Sequence, residues 1–66
     1  MNVKFDPSDF EAKGIGYIRS GNLVRFIVPG RSEVVQAHID EKNRLDLQPG
    51  RSSQHKALAQ ALGLAV

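Results

Sequence analysis

The residues of this chain whose types could do chemistry are two histidines, two adjacent serines and a few carboxylates. Asp40 follows His38 by two residues, so on a strand both side chains would lie on the same face. His55 is the second histidine, and the chain has no cysteine. Zinc takes three or four protein ligands, so this set is too small. We therefore expect no metal site and no cofactor.

Nucleophilic catalysis would need more than the serines beside His55. A serine–histidine pair requires an orienting carboxylate and an oxyanion hole. Capping of a predicted helix already accounts for Ser52 and Ser53. The carboxylates Asp40 and Asp46 lie near a predicted turn among basic residues, unlike a general acid–base pair in a cleft. We therefore predict that the protein is not an enzyme and has no catalytic residues.

The chain is short and its positive charge is unevenly distributed. Its 66 residues suit one small domain, 1–66, near the lower limit for a single core. Without disulfides, stability must come from packing or from association with another chain. The formal net charge is +2, and residues 14–31 carry three arginines and no acid. The first predicted hairpin is therefore the electropositive part of the protein.

The sequence carries no signal that directs it to a membrane. Residues 1–10 lack both the basic start and the apolar run of a signal peptide. The longest nearly apolar stretch, residues 57–66, is about half as long as a membrane-spanning helix. The absence of cysteine fits a reducing compartment. We predict a cytoplasmic protein that does not bind a membrane.

The pattern of turns predicts an α+β fold built on a four-stranded antiparallel meander over about 14–48. Turn residues separate four short strands with alternating apolar residues. The turns are Ser20-Gly21-Asn22, Pro29-Gly30 in a type II turn, and Glu41-Lys42-Asn43 with Asn43 left-handed. The first loop has either two or three residues.

A short strand and a helical turn are predicted before the meander, and one helix after it. Phe5 and Phe10 have the spacing of a hydrophobic staple around a helix over 7–13, with Asp6 as N-cap. A second helix over about 52–62 is predicted to begin at Ser52 or Ser53. Its apolar stripe, which we expect to cover one sheet face, consists of Leu58, Ala61 and Leu62.

Strand pairing divides the meander into two unequal faces. With a three-residue first loop, one face is wholly apolar, and a one-residue slip would break this agreement. That face consists of Ile18, Val24, Phe26, Val28, Val35, Ala37, Ile39, Leu45 and Leu47. A two-residue loop would place Tyr17 there instead of Ile18. The other face then carries arginines and more aliphatic residues than solvent exposure explains: Ile15, Tyr17, Leu23, Ile27 and Val34.

We predict that the second face binds a partner. The residues that we assign to this contact are Tyr17, Arg19, Arg25, Ile27, Arg31 and Val34, because interfaces favour aromatic, arginine and aliphatic side chains. Our main hypothesis is a non-enzymatic protein that occludes a surface on a larger protein or nucleoprotein. Chains of this size and build include phage or mobile-element inhibitors of the anti-CRISPR kind, and we extend the hypothesis to them.

Two alternatives use the same part of the chain. Tyr17 and the three arginines could form a strip that stacks on bases and binds phosphates, as in a small nucleic-acid-binding module. An exposed sheet face or an edge strand could instead build a homodimer, which would make the protein a structural subunit.

Overall fold

The computed structural model describes residues 1–64, which form five strands and two helices. In chain order these are β1 (Asn2–Lys4), α1 (Pro7–Ala12), β2 (Gly16–Ser20), β3 (Leu23–Ile27), β4 (Val34–Ile39), β5 (Arg44–Asp46) and α2 (Ser53–Ala61). The strands form one antiparallel sheet in the order β1-β5-β4-β3-β2. The predicted α+β fold is confirmed, with the predicted meander as β2 to β5 and the N-terminal strand as a fifth strand beside β5. The last two residues of the predicted domain lie outside the described residues.

Helix α1 begins and ends as its sequence predicts. The Asp6 side chain accepts a hydrogen bond from the backbone N–H of Ser8 at 3.1 Å, and proline occupies the first turn. The rings of Phe5 and Phe10 lie 5.3 Å apart, edge to face, which confirms the hydrophobic staple. At the other end, the N–H of Ile15 donates to the carbonyl of Phe10 at 2.9 Å and closes the helix.

The first hairpin has a two-residue loop, Gly21-Asn22, closed by Ser20 opposite Leu23. Gly21 has φ 60, the positive value that a type II′ turn requires at its first central position. The backbone of a type II′ turn matches the right-handed twist of the flanking strands, whereas we used a three-residue loop for the pairing. Because side chains alternate along a strand, a loop shorter by one residue reverses both faces of β2.

The four face assignments made with a three-residue loop, those of Ile15, Tyr17, Ile18 and Arg19, are therefore wrong, and the alternative two-residue loop gives Tyr17 and Ile18 correctly. Ile18 lies on the exposed face, whereas we had placed it on the buried one. Tyr17 lies on the buried face, as the alternative two-residue loop predicts, and Arg19 lies opposite Val24 on that same side. Ile15, expected to be exposed, is buried in the core.

The other two turns have the predicted backbone geometry. Gly30 has φ 83, and the N–H of Arg31 donates to the carbonyl of Val28 at 3.1 Å, as in a type II turn. The strands pair in the register expected for a four-residue loop at this turn. Asn43 has φ 63, so the left-handed residue predicted in the last turn is confirmed.

One side of the sheet, which we call the inner face, carries the core. Eight of the nine residues that we assigned to the apolar face are buried there: Val24, Phe26, Val28, Val35, Ala37, Ile39, Leu45 and Leu47. Both helices pack on this side, with Phe10 from α1, Leu58 and Ala59 from α2 and Leu62 just after α2 in the same cluster. Ala59 is fully buried and Ala61 only partly, so the apolar stripe of α2 is one residue wider than predicted.

His55 joins α2 to the sheet where the β4–β5 ladder stops. In the register that places His38 opposite Asp46, the next hydrogen-bonded pair would be Gln36 and Gln48. The imidazole of His55 lies between them instead. The N–H of Gln48 donates to Nδ1 at 2.8 Å, and Nε2 is 2.7 Å from the carbonyl oxygen of Gln36. Because a backbone N–H only donates and a carbonyl only accepts, Nδ1 is the acceptor and Nε2 the donor in this link.

Replacing His55 should show how much this link contributes to the free energy of unfolding. We expect His55→Ala to lower the free energy of unfolding by about 1–2 kcal/mol, because one backbone donor and one acceptor lose their partner. His38→Ala is the matched control, since His38 is exposed on the opposite side of the sheet and its loss should cost less than about 0.5 kcal/mol. Urea unfolding of both variants tests the difference. Equal stability of the two would contradict the assigned role of His55.

Candidate functional site

The side of the sheet away from both helices, which we call the outer face, exposes a group of apolar side chains on three adjacent strands. Ile18 of β2 is 68% exposed, Ile27 of β3 is 55% exposed and Val34 of β4 is 44% exposed. Leu23 of β3 is partly exposed on the same face. We call these four residues the outer apolar patch.

The pairing of the strands makes this patch contiguous. Ile27 lies directly opposite Val34 across β3 and β4. Ile18 lies opposite Arg25 on β3, so its diagonal neighbours on that strand are Leu23 and Ile27. Gly16 lies opposite Ile27 and leaves that side chain open toward the edge of the sheet. Within residues 1–64, no element covers this part of the sheet, because both helices pack on the inner face.

Arg25 lies at the centre of the patch. It is flanked by Ile18 on one side and Gln36 on the other, and its side chain is exposed. The ion pairs among the described residues are Lys13–Asp9, Arg31–Glu33 and Arg44–Asp40, and Arg25 belongs to none of them. Its guanidinium can therefore bind a partner without first breaking an ion pair in this part of the protein.

Arg31 is held in the turn between β3 and β4. Its guanidinium donates to the carboxylate of Glu33, and this hydrogen bond is the main reason why the pKa of Glu33 lies below its ordinary value. A second hydrogen bond, from Gln54 of α2 at 3.4 Å, lowers the pKa further. Unlike Arg25, Arg31 is therefore already paired with a carboxylate within the protein.

Tyr17 and Arg19 extend from the inner face. The Tyr17 ring meets the rings of Phe5 and Phe10 edge to face, with centroid distances of 5.2 and 6.3 Å. The Arg19 guanidinium donates to the carbonyl of Gly21 and to the side chain of Asn43, each at 3.2 Å. Both side chains are thus engaged within the protein.

Of the six residues predicted to contact a partner, the structure brings together Arg25, Ile27 and Val34. It places Tyr17 and Arg19 on the opposite side of the sheet and Arg31 in a turn, so the predicted strip of one tyrosine and three arginines does not form. Ile18 was missed. The signal that could have found it is the Gly21-Asn22 pair, which favours a two-residue hairpin loop and turns Ile18 outward.

Neither a metal site nor a membrane span is found in the described part of the chain. No three histidine, aspartate, glutamate or cysteine side chains in residues 1–64 are grouped so that they could hold a metal ion. In the same range, neither helix is both long and apolar enough to cross a bilayer.

Comparison with known proteins provides no relative from which a role could be transferred. No family model matches the chain, and no curated protein or solved structure matches it. The outer apolar patch, with Arg25 at its centre, is therefore the candidate site on geometry alone.

The same substitution should change the stability of the protein very differently at two neighbouring residues of β2. We expect Tyr17→Thr to lower the free energy of unfolding by about 2 kcal/mol, because its ring packs against Phe5 and Phe10. Ile18→Thr should change the free energy of unfolding of the monomer by less than about 0.5 kcal/mol, because Ile18 is exposed in the single chain and threonine also favours strands. Chemical denaturation measures both. The reverse order of effects would mean that β2 presents the opposite face to the core.

Proposed function

We propose that this protein is a non-enzymatic binding protein whose outer face covers an apolar surface on a larger protein. The observation that carries the proposal is the outer apolar patch, in which Ile18, Ile27 and Val34 on adjacent strands are the most exposed residues. Contiguous apolar groups on the surface of a small domain commonly mark an interaction site. An inhibitor that acts by occluding its target is one form of this function.

The arrangement of charge supports a protein partner. Arginine at the centre of an apolar surface is typical of interface cores, where its long side chain packs as well as hydrogen-bonds. Arg25 has this position among the patch residues. An exposed carbonyl or carboxylate, surrounded by apolar side chains on the partner, would complement this surface.

A nucleic-acid interface has less support in the geometry. Three arginines on one phosphate-binding strip would give a log–log salt slope of about −3, whereas Arg25 alone would give about −1. Arg19 and Arg31 are bonded to other parts of the protein and lie away from Arg25. Binding to random DNA and RNA across a salt series would therefore favour the nucleic-acid alternative only if the slope were steep.

The test removes the apolar contact without changing the net charge. In the double variant Ile27→Lys with Val34→Glu, the two new side chains lie opposite each other and can pair across β3 and β4. We expect affinity for the protein partner, first captured with the unmodified protein from native host extract, to fall at least about tenfold. Titration of the identified partner with each purified variant measures the change.

A matched control places the same two residue types on the other side of the molecule. Ala12 and Gln60 are exposed on the two helices, so Ala12→Lys with Gln60→Glu should leave the affinity unchanged. Circular dichroism should show the same fold for both double variants. If the outer-face variant binds as tightly as the control, the outer face is not the docking surface.

A further inference from the structure

The two edges of the sheet differ in how well they are protected. Strand β1 is short and carries Lys4, and both features discourage pairing with another chain. Strand β2, at the other edge, has five residues and contains neither lysine nor proline. The Arg19 side chain does not shield the edge of β2, because its guanidinium extends across the sheet to Asn43 in the β4–β5 turn. The β2 edge is thus open for a further strand.

The hydrogen-bond pattern identifies the backbone groups that face this edge. The N–H of Ile39 donates to the carbonyl of Asn22 at 2.8 Å, so the even-numbered residues of β3 bond toward β4. The odd-numbered residues of β3 therefore bond toward β2, where their partners are Gly16, Ile18 and Ser20. It follows that the N–H and C=O groups of Tyr17 and Arg19 face outward.

We propose that two copies of this chain pair antiparallel along β2, with Ile18 of one copy beside Ile18 of the other on a two-fold axis. In this register, Tyr17 of each copy lies opposite Arg19 of the second copy. Tyr17 of one copy and Arg19 of the second copy then form two N–H···O=C hydrogen bonds with each other. The outward N–H and C=O groups of Tyr17 and Arg19 in both copies are therefore all paired. The two five-stranded sheets become one sheet of ten strands.

The side chains on both faces suit this register. Ile18, the most exposed of the patch residues, meets its own copy as a pair without backbone hydrogen bonds, in which the Cα atoms lie about 4.5 Å apart. On the inner side, Arg19 lies opposite the uncharged Tyr17 of the second copy, so no like charges are directly opposed. An isologous contact requires such self-complementarity of one surface.

Pairing along β2 also joins the two outer apolar patches. Ile18 of each copy lies at the axis, with Ile27 one strand away on either side. The combined surface lies on one face of the extended sheet and offers two equivalent sites. This pairing does not depend on the proposed docking function, because it uses backbone groups at the edge of the sheet.

Substitution of Arg19 tests the backbone bonds directly. In Arg19→Pro the outward N–H is removed, while the bonds between β2 and β3 are kept because Arg19 does not take part in them. Arg19→Ala removes the same side chain and keeps the N–H, so it is the matched control. We expect unmodified protein and Arg19→Ala to sediment as dimers at micromolar concentration. Arg19→Pro should dissociate at a concentration at least about tenfold higher.

A second variant and a second measurement guard against a failure of Arg19→Pro to fold. Ile18→Lys places like charges together at the axis and should also weaken the dimer at least about tenfold. In amide hydrogen exchange of the dimer, the N–H groups of Tyr17 and Arg19 should be protected. Those of Asn2 and Lys4 on the β1 edge should exchange fast.

Three results would overturn the proposal. One is a monomer at every soluble concentration, and another is a dimer that persists in both Arg19→Pro and Ile18→Lys. The third is protection of Tyr17 and Arg19 only after a different protein binds, which would assign the edge to a foreign strand. Failure of this proposal can be distinguished from failure of the docking function, because Ile27→Lys with Val34→Glu should weaken docking at least about tenfold and leave the dimer intact.

Discussion

Two short helices can cover only one face of a five-stranded sheet, and the rest of this structure follows from that limit. Both helices pack on the inner face, where Phe10 and Leu58 complete the core. The apolar residues of β2, β3 and β4 on the other face have nothing above them within the described residues. Residues 1–64 contain no further element that could form a second layer. The exposed patch is thus a result of the architecture as well as a candidate site.

The core depends on aromatic rings more than its composition suggests. Phe5, Phe10 and Phe26 meet one another edge to face, with centroid distances of 5.3 to 6.3 Å, and Tyr17 joins the cluster from β2. Phe5 follows β1 and Phe10 lies in α1, so these contacts hold the N-terminal segment on the sheet. Edge-to-face pairs favour particular angles and distances. These contacts therefore fix the position of α1 on the sheet, although the helix itself is short.

The parts of the fold that could be predicted from the sequence are those determined by residues close together in the chain. The Asp6 cap, the Pro29-Gly30 turn and the left-handed Asn43 each depend on neighbouring residues, and alternation along β3, β4 and β5 then identifies the buried side chains. The first hairpin was harder, because Ser20, Gly21 and Asn22 suit loops of two lengths. That single residue decides whether Tyr17 or Ile18 lies on the inner face, and therefore whether Ile18 belongs to the outer apolar patch. The role of His55 could not be predicted, because its contacts with Gln36 and Gln48 depend on where α2 lies against β4 and the end of β5.

His55 also affects how narrowly the position of α2 is defined. Leucine side chains on a helix tolerate small rotations and shifts over an apolar surface, because dispersion contacts have little directional preference. Hydrogen bonds at both ring nitrogens tolerate far less, since each requires its own distance and angle. The imidazole thus restricts the position of α2 on the sheet more than its leucines do. This polar contact at the edge of the core therefore favours one folded arrangement in addition to adding to stability.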